Sequence, residues 1–184
     1  MQTQRLCQTL VLTLSSKLVL ICRLLTPLKP PDLGFSSDTS GILVMEEVMR
    51  RIARFLSMIP LLPKGRQQIK DMAMFLTCHQ FLNDFGCGSQ GDHAVLLCNY
   101  FMYLGKRSAL LLGEGVPEGK TVYVIVWDTF FGASPSTDVC IWNPVSGVKY
   151  SPRDPFIPLT CVTCIVFNDN VSTKECNWKR FVLE

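Results

Sequence analysis

The stretch from Ala94 to Leu104 is apolar on nearly every side, and this feature most constrains how the chain can fold. A helix without a polar face must be surrounded by protein, so we predict a central, buried helix here. Asp92 lies just ahead of the stretch, where a short polar side chain can cap the first backbone N–H groups. Gly105 follows at the position of a C-terminal glycine cap. These two residues give the predicted helix its ends.

The segments around this helix predict an α+β domain. Val44 to Leu56 carries apolar residues at three- and four-residue steps and ends before Pro60, which predicts an amphipathic helix. The window from Ile69 to Phe85 shows a similar pattern and predicts a second one. Apolar runs between turns predict strands at Ser108 to Leu112, Val122 to Trp127, Val139 to Trp142 and Val162 to Phe167. Helices followed by such a meander predict a central helix packed on an antiparallel sheet.

The length of the chain allows one domain with a real core. We place this domain at residues 42–171, with a poorly defined N-terminal segment at 1–41 and a divergent tail at 172–184. Leu6 to Leu25 is apolar enough to suggest a signal peptide or a membrane anchor. Lys17 and Arg23 argue against a spanning helix, because a charge at the bilayer centre costs about 2.5 kcal/mol or more. We favour a strand or helix that packs on the domain, and we expect membrane association to be only indirect.

The composition is that of a packed globular chain, with 48% apolar and 18% charged residues. Lys and Arg are scattered and the net charge is only +3, so the basic runs of nucleic-acid-binding proteins are missing. We predict no nucleic-acid partner. Nine cysteines is a high, odd number, but several lie in apolar runs, as Cys98 and Cys164 do. A free thiol there behaves as a small buried hydrophobe, so we expect reduced cysteines and a cytoplasmic location.

Histidines and cysteines decide whether the chain can be a thiol-dependent enzyme. Such an enzyme needs a cysteine nucleophile, a histidine within hydrogen-bond reach and a third group that orients the histidine. The chain has only His79 and His93, and Cys87 lies in a glycine-rich loop just before the central helix. The enzymatic alternative is therefore a thiol-dependent hydrolase or acyl transferase that uses Cys87 with His79 or His93. The competing interpretation makes Cys87 an ordinary loop cysteine, His93 a first-turn helix residue and Cys98 a core residue.

Two further patterns fall short of a metal or phosphate site. Cys161 and Cys164 form a single CxxC pair, whereas a structural zinc site needs four ligands. Gly119-Lys120-Thr121 is similar to the end of a phosphate-binding loop, but Glu114 stands where the first glycine is required and a strand follows. We therefore predict no metal, no cofactor and no small-molecule substrate.

A series of short motifs runs along most of the chain. The longest extends from Asp92 to Phe101 and is followed by Leu104-Gly105-Lys106. The others are Leu28-Lys29-Pro30-Pro31, Arg54 to Pro60, Val116-Pro117-Glu118-Gly119, Tyr123-Val124, Ile141-Trp142-Asn143-Pro144, Ser146-Gly147 and Asp169-Asn170. Together, from about Leu24 to Val171, they resemble the coiled-coil and C2 domain-containing protein 2 family. The sequence departs from the family before about Cys22 and after Val171, and the family's upstream coiled-coil and C2 segments do not occur, so the resemblance implies a fragment or a short isoform.

The order of loop, buried helix, glycine and strands also resembles the papain-like transglutaminase core, and the resemblance implies a degenerate version of that fold. In that core a cysteine begins the central helix, a histidine stands on a following strand and an aspartate on the next. Here the helix start near Gln90 to Asp92 holds no thiol, Tyr123 takes the histidine position and Asn143 the aspartate position. A phenol with an ordinary pKa of ~10 is a poor general base at neutral pH. The resemblance therefore implies a domain that is not an enzyme.

For function, the resemblance implies a scaffold. Members of the family are components of the ciliary transition zone, so the expected partners are other transition-zone complex proteins. The expected location is the cytoplasm at the base of the cilium, and the expected role is support of cilium assembly and of protein localisation to the cilium. A pseudoenzyme keeps the cleft of its ancestor, and we expect Tyr123, Trp142 and Asn143 to line a cleft that binds a protein without cutting it.

Overall fold

The buried helix lies at the centre of the observed fold. The computed structural model describes residues 10–34, 41–62, 68–69, 72–128 and 138–177. Helix α2 (Gln90–Tyr103) has an unbroken run of buried residues from Gly91 to Phe101. This confirms the predicted central helix.

Helix α1 (Gly41–Ser57) packs against α2 and confirms the first amphipathic prediction. Among its described side chains, the buried ones are Met49, Ile52, Ala53 and Leu56. On the exposed face Glu46 pairs with Arg50 at 2.9 Å, one helical turn away. Exposed pairs of this kind add only about 0.2–0.5 kcal/mol, so the helix depends mainly on its packing.

Six antiparallel strands form the main sheet, in the order β10–β9–β5–β6–β7–β8. The strands are β5 (Arg107–Gly115), β6 (Gly119–Asp128), β7 (Asp138–Trp142), β8 (Lys149–Tyr150), β9 (Leu159–Val166) and β10 (Val171–Asn177). The four predicted strands coincide with β5, β6, β7 and β9, and α2 packs on β5 and β6. The prediction of an α+β domain with a central helix on an antiparallel sheet is confirmed.

Side chains alternate between the two faces of this sheet. Val124 and Trp142 lie opposite each other on β6 and β7 and belong to the core under α2. Tyr123 and Ile125 belong to a separate apolar cluster on the far face. The register therefore places Trp142 on the helix side of the sheet and Tyr123 on the other side.

A second sheet joins the N-terminal region to the segment just before α2. Its order is β2–β1–β4–β3, with β1 (Leu10–Thr13), β2 (Leu18–Leu20), β3 (Gln68–Ile69) and β4 (Met72–Phe75), and β1 runs parallel to β4. The helix predicted for Ile69 to Phe85 is therefore wrong, because this window holds β4 and a π-helical turn at Gln80–Phe85. Pairing with β1, a strand far away in the sequence, overrides the local helical pattern.

The described part of the N-terminal segment packs on the same core. Ile21 and Leu25 are buried in the cluster around α2. The buried Asn99 of α2 accepts the Thr26 N–H through Oδ1 at 2.9 Å and donates through Nδ2 to the Leu24 carbonyl at 3.0 Å. Among the residues described, no helix has the length and apolar character needed to cross a membrane. The boundaries of the domain stay a prediction, and β10 continues from Val171 into the predicted tail.

Candidate functional site

The start of helix α2 is where the resemblance to the transglutaminase core places a nucleophile. Ser89 is the N-cap here: its Oγ accepts the Asp92 N–H at 3.1 Å, and Asp92 Oδ2 accepts the Ser89 N–H at 2.8 Å. This reciprocal pair is a capping box. The prediction of Asp92 as the N-cap is therefore wrong, since Asp92 is the third residue of the helix. The pattern of Ser89 followed by an acidic residue three positions later already indicates this arrangement.

Asp92 also ties the helix to the segment before it. Its Oδ1 accepts the Leu76 N–H at 2.7 Å, and its Oδ2 accepts the Ser89 hydroxyl at 2.7 Å. The side chain is almost fully buried. Burial raises the pKa of the Asp92 carboxyl above its usual range, and the hydrogen bonds from Leu76 and Ser89 act in the opposite direction. Both carboxylate oxygens are thus engaged in holding the fold.

Two aromatic rings cover the helix start. A Cβ atom on Gly91 would lie 2.6 Å from Phe75 Cζ, and one on Gly88 would lie 2.6 Å from Phe81 Cε2. Only glycine lets the rings approach the backbone this closely. Both Phe75 and Phe81 are buried. The start of α2 is therefore closed by packing.

Gln90, the first residue of α2, reaches across to the main sheet. Its Nε2 donates a hydrogen bond to Thr121 Oγ1 on β6. The strand residue beside the helix start is therefore Thr121, two positions before Tyr123. No sequence pattern indicates this pair, because the contact depends on how β6 crosses the helix.

Tyr123 and Asn143, which were predicted at the positions of the histidine and the aspartate, do lie together. Asn143 Nδ2 donates to the Tyr123 hydroxyl oxygen at 3.4 Å, and the Tyr123 hydroxyl lies 3.5 Å from both carboxylate oxygens of Glu118. Burial raises the pKa of the Tyr123 phenol well above its ordinary value, and the nearby Glu118 carboxylate adds to the shift. The phenol therefore stays protonated at neutral pH and cannot act as a general base.

Trp142, the third predicted binding residue, lies apart from these two. Its ring meets the ring of Phe101 on α2 edge-on, with the centroids 5.5 Å apart. The indole Nε1 is buried and has no hydrogen-bond partner in the part of the chain that is described. The structure thus brings Tyr123 and Asn143 together and places Trp142 on the helix side of the sheet.

The contacts of the two imidazoles bear on the enzymatic alternative. His93 is buried in the first turn of α2, with Nδ1 2.8 Å from the Ser89 carbonyl oxygen and Nε2 3.1 Å from the Ile59 carbonyl oxygen. His79 is exposed and immediately precedes the π-helical turn. Within the described residues, neither imidazole is hydrogen-bonded to a cysteine. His93 has the first-turn role that the competing interpretation gave it.

The cysteine side chains of the described residues are all buried or half-buried. They belong to Cys22, Cys78, Cys87, Cys98, Cys140, Cys161 and Cys164. Cys87 is half-buried, and Cys98 is fully buried with its thiol donating to Ser108 Oγ at 3.5 Å. Burial raises the pKa of the Cys98 thiol to about 12, so it remains protonated and unreactive at neutral pH. No group of three or more His, Cys, Asp or Glu side chains in the described ranges could hold a metal ion.

A known protein family matches the region of the chain that contains this site. The family model for the CEP76 peptidase-like domain matches residues 73–174, more than half of the chain, and this range contains α2 and the main sheet up to β10. The chain belongs to the CEP76 peptidase-like domain family. The start of α2, with Gln90 and its partner Thr121, falls inside the matched region of this CEP76 peptidase-like domain.

Two curated relatives connect this CEP76 peptidase-like domain with coiled-coil and C2 domain proteins. Protein CC2D2B from Homo sapiens is 36% identical over 120 residues, which are 65% of this chain and 8% of the relative. Coiled-coil and C2 domain-containing protein 2A from Drosophila melanogaster is 27% identical over 170 residues, 92% of this chain and 12% of the relative. The predicted membership of the coiled-coil and C2 domain-containing protein 2 family is confirmed. The chain spans only a small part of the length of these relatives.

Proposed function

We propose that this chain is a non-catalytic scaffold and protein-interaction module of the ciliary transition zone, built on a degenerate transglutaminase-like fold. Its proposed role is to support cilium assembly and protein localisation to the cilium, in the cytoplasm at the cilium base. Other proteins of the transition-zone complex are the proposed partners. Membership of the coiled-coil and C2 domain-containing protein 2 family supports this setting.

The arrangement at the start of α2 carries the non-catalytic part of the proposal. A thiol hydrolase needs a base that can take a proton from the nucleophile and pass it to the leaving group. His93 is held by the carbonyls of Ser89 and Ile59, so a catalytic role would break its contacts in the first turn of α2. Asp92 is held by Ser89 and Leu76. The groups that could act as acid or base here serve the fold instead.

The proposed partner-binding surface lies at the turn between β7 and β8, and the predicted binding residues Tyr123, Trp142 and Asn143 support it from below. All three side chains are buried, so we give them the role of supporting a partner-binding surface. Asn143 Oδ1 accepts the Ser146 N–H at 3.2 Å, which fixes the turn. Val148, in the same turn, exposes 43% of its surface. The partner surface is therefore proposed to include Ser146 and Val148.

Val148→Asp, introduced into the whole chain and expressed in ciliated cells, tests this proposal. We expect the wild-type chain at the cilium base and the variant to lose that location, because a charge in an apolar contact strongly weakens binding. Leu14→Asp is the matched control, since Leu14 lies on the N-terminal hairpin with a similar exposure of 40%. Thermal unfolding shows whether both variants fold. Equal localisation of the two folded variants would contradict the proposed surface.

Membership of a peptidase-like family supports a second candidate function. This function is that of a thiol-dependent hydrolase or acyl transferase that uses Cys87 with His79 or His93. Cys87 is half-buried and therefore partly reachable from solvent. Such an enzyme would form a covalent adduct between Cys87 and an electrophilic peptide, and either His79→Ala or His93→Ala would abolish it. The scaffold proposal expects no turnover and no dependence on His79.

A further inference from the structure

Three side chains at one end of the main sheet form an arginine–aromatic cluster, made up of Arg107, Trp127 and Phe167. The guanidinium carbon of Arg107 lies 5.3 Å from the Trp127 ring centroid and 5.6 Å from the Phe167 ring centroid. The two rings stack on each other, with centroids 5.5 Å apart and an interplanar angle of 24°. The cluster lies on the sheet face away from α2, where Trp127 and Phe167 pack beside the second apolar cluster.

The rings hold the guanidinium in place while leaving its N–H groups available. Arg107 stands directly opposite Trp127 in the pairing of β5 with β6, so the contact is built into the strand register. Arg107 is exposed and the two rings are half-buried. In the described part of the chain, Arg107 has no carboxylate partner, in contrast to Arg50 and Arg51 on α1. A cation fixed on aromatic faces loses little conformational freedom when it binds a further group.

A planar guanidinium fits a carboxylate through two parallel N–H···O bonds, which are among the stronger hydrogen bonds of proteins. Arginine and tryptophan are also over-represented among the residues that dominate protein–protein binding. We propose that the arginine–aromatic cluster is an anchor for an acidic segment of a protein partner, with a Glu or Asp carboxylate of that segment paired to Arg107. The inference rests on the proposed function only in taking the occupant to be a protein.

Charge complementarity is the reason for an acidic occupant. The exposed cation carries its charge without neutralisation from the described residues, and the chain as a whole has a net charge of +3. Asp169 lies close in sequence to Phe167 but forms no ion pair with Arg107. An acidic segment would supply the missing partner, and its apolar side chains would contact the edges of the two rings.

Binding of a short synthetic peptide of alternating glutamate and alanine to the whole purified chain tests the proposal. Its glutamine–alanine counterpart serves as the uncharged probe, and isothermal titration calorimetry at low and high salt measures both affinities. We expect the glutamate peptide to bind about tenfold or more tightly than its counterpart, with the difference shrinking at high salt. Arg107→Gln should remove this preference, and Arg107→Lys should retain only part of it, because an ammonium lacks the planar pair of donors.

Arg153→Gln is the matched control, because Arg153 is also exposed and stacks on no aromatic ring in the described part of the chain. It should leave the affinity within about twofold of the wild type, since general attraction contributes little at moderate salt. An equal loss in the Arg107→Gln and Arg153→Gln variants would overturn the proposal, and so would a glutamate preference that survives Arg107→Gln. Tighter binding of a phosphoserine peptide with no binding of the glutamate peptide would also contradict it. None of these results depends on the ciliary role, so the two proposals can fail separately.

Discussion

Asp92→Ala removes the acceptor that joins the start of α2 to the segment before it. In the native structure the carboxylate accepts two backbone N–H groups, from Leu76 at 2.7 Å and from Ser89 at 2.8 Å. Both bonds are buried, so alanine leaves two donors without partners. Asp92→Asn keeps one acceptor oxygen and leaves fewer groups unsatisfied. Asp84→Ala, at an exposed aspartate in the π-helical turn, is the control for loss of a carboxylate.

The expected loss follows from the hydrogen bonds and from the cost of burying the carboxylate. A buried donor left without an acceptor costs about 1–3 kcal/mol, so two of them set the upper range. Replacing Asp92 also removes the cost of burying its carboxylate, a cost that the raised pKa of Asp92 reflects. The net loss of stability is therefore smaller than the cost of the two unpaired donors. We therefore expect Asp92→Ala to lower the free energy of unfolding by about 2–4 kcal/mol, Asp92→Asn by less, and Asp84→Ala by under about 0.5 kcal/mol.

The pH dependence gives a second test of the same carboxyl group. Burial raises the pKa of Asp92, so the folded chain keeps this proton at pH values where the unfolded chain has released it. The unfolded state then binds fewer protons, and stability falls as the pH rises from about 4 through the raised pKa. The stability difference between the wild type and Asp92→Ala should therefore be largest below the unfolded pKa and smaller at neutral pH.

Urea unfolding followed by circular dichroism, repeated across this pH range, measures both effects. The result that would refute the reasoning is an Asp92→Ala variant within about 0.5 kcal/mol of the wild type, since that is the range of ordinary surface substitutions. A stability difference that grows with pH would show that the hydrogen bonds, and not burial, dominate the titration of Asp92.

Three further predictions concern the packing around α2. Gly91→Ala should destabilise the fold by about 1–3 kcal/mol through overpacking against Phe75, and adding Phe75→Leu should recover part of the loss in a double-mutant cycle measured by urea unfolding. Asn99→Ala should release the N-terminal segment at a cost of about 1–3 kcal/mol, seen as faster proteolysis near residues 24–28 under native conditions. Cys98, whose pKa is raised to about 12 by burial, should resist iodoacetamide in the folded chain at neutral pH and react after unfolding, as peptide mass spectrometry would show.

The elements that could be predicted are those whose pattern is local. α2 is apolar on all sides and has Gly105 at its end, and α1 has one apolar face. The strands β5, β6, β7 and β9 are apolar runs bounded by turn residues. The resemblance to the coiled-coil and C2 domain-containing protein 2 family was also visible, because its motifs occur in order along the chain. In each case the pattern of residues close together in the sequence is enough to predict the element.

The features that escaped prediction depend on distant partners. Ile69 to Phe85 has helical spacing, but β4 forms there because it pairs with β1 from the N-terminal region. Tyr123 and Trp142 fall on opposite faces of the main sheet, which only the register of β6 with β7 reveals. The contact between Gln90 and Thr121 likewise requires the position of α2 over the sheet. The capping box at Ser89 differs from these features, because its sequence pattern is local: the N-cap is Ser89, three residues before the predicted Asp92.

The central claim is that this peptidase-like chain has no working thiol site, and one measurement tests it directly. The whole purified chain is incubated with a peptide chloromethyl ketone and, in parallel, with fluorogenic peptide amides, and intact-mass spectrometry and fluorescence report the two outcomes. His79→Ala is the informative variant, because His79 is exposed and its removal leaves the packing around His93 intact. We predict no amide cleavage above the buffer rate and the same slow labelling of Cys87 in the wild type and His79→Ala. Rapid labelling of Cys87 together with amide cleavage would contradict the account, and loss of both in His79→Ala would identify His79 as the base.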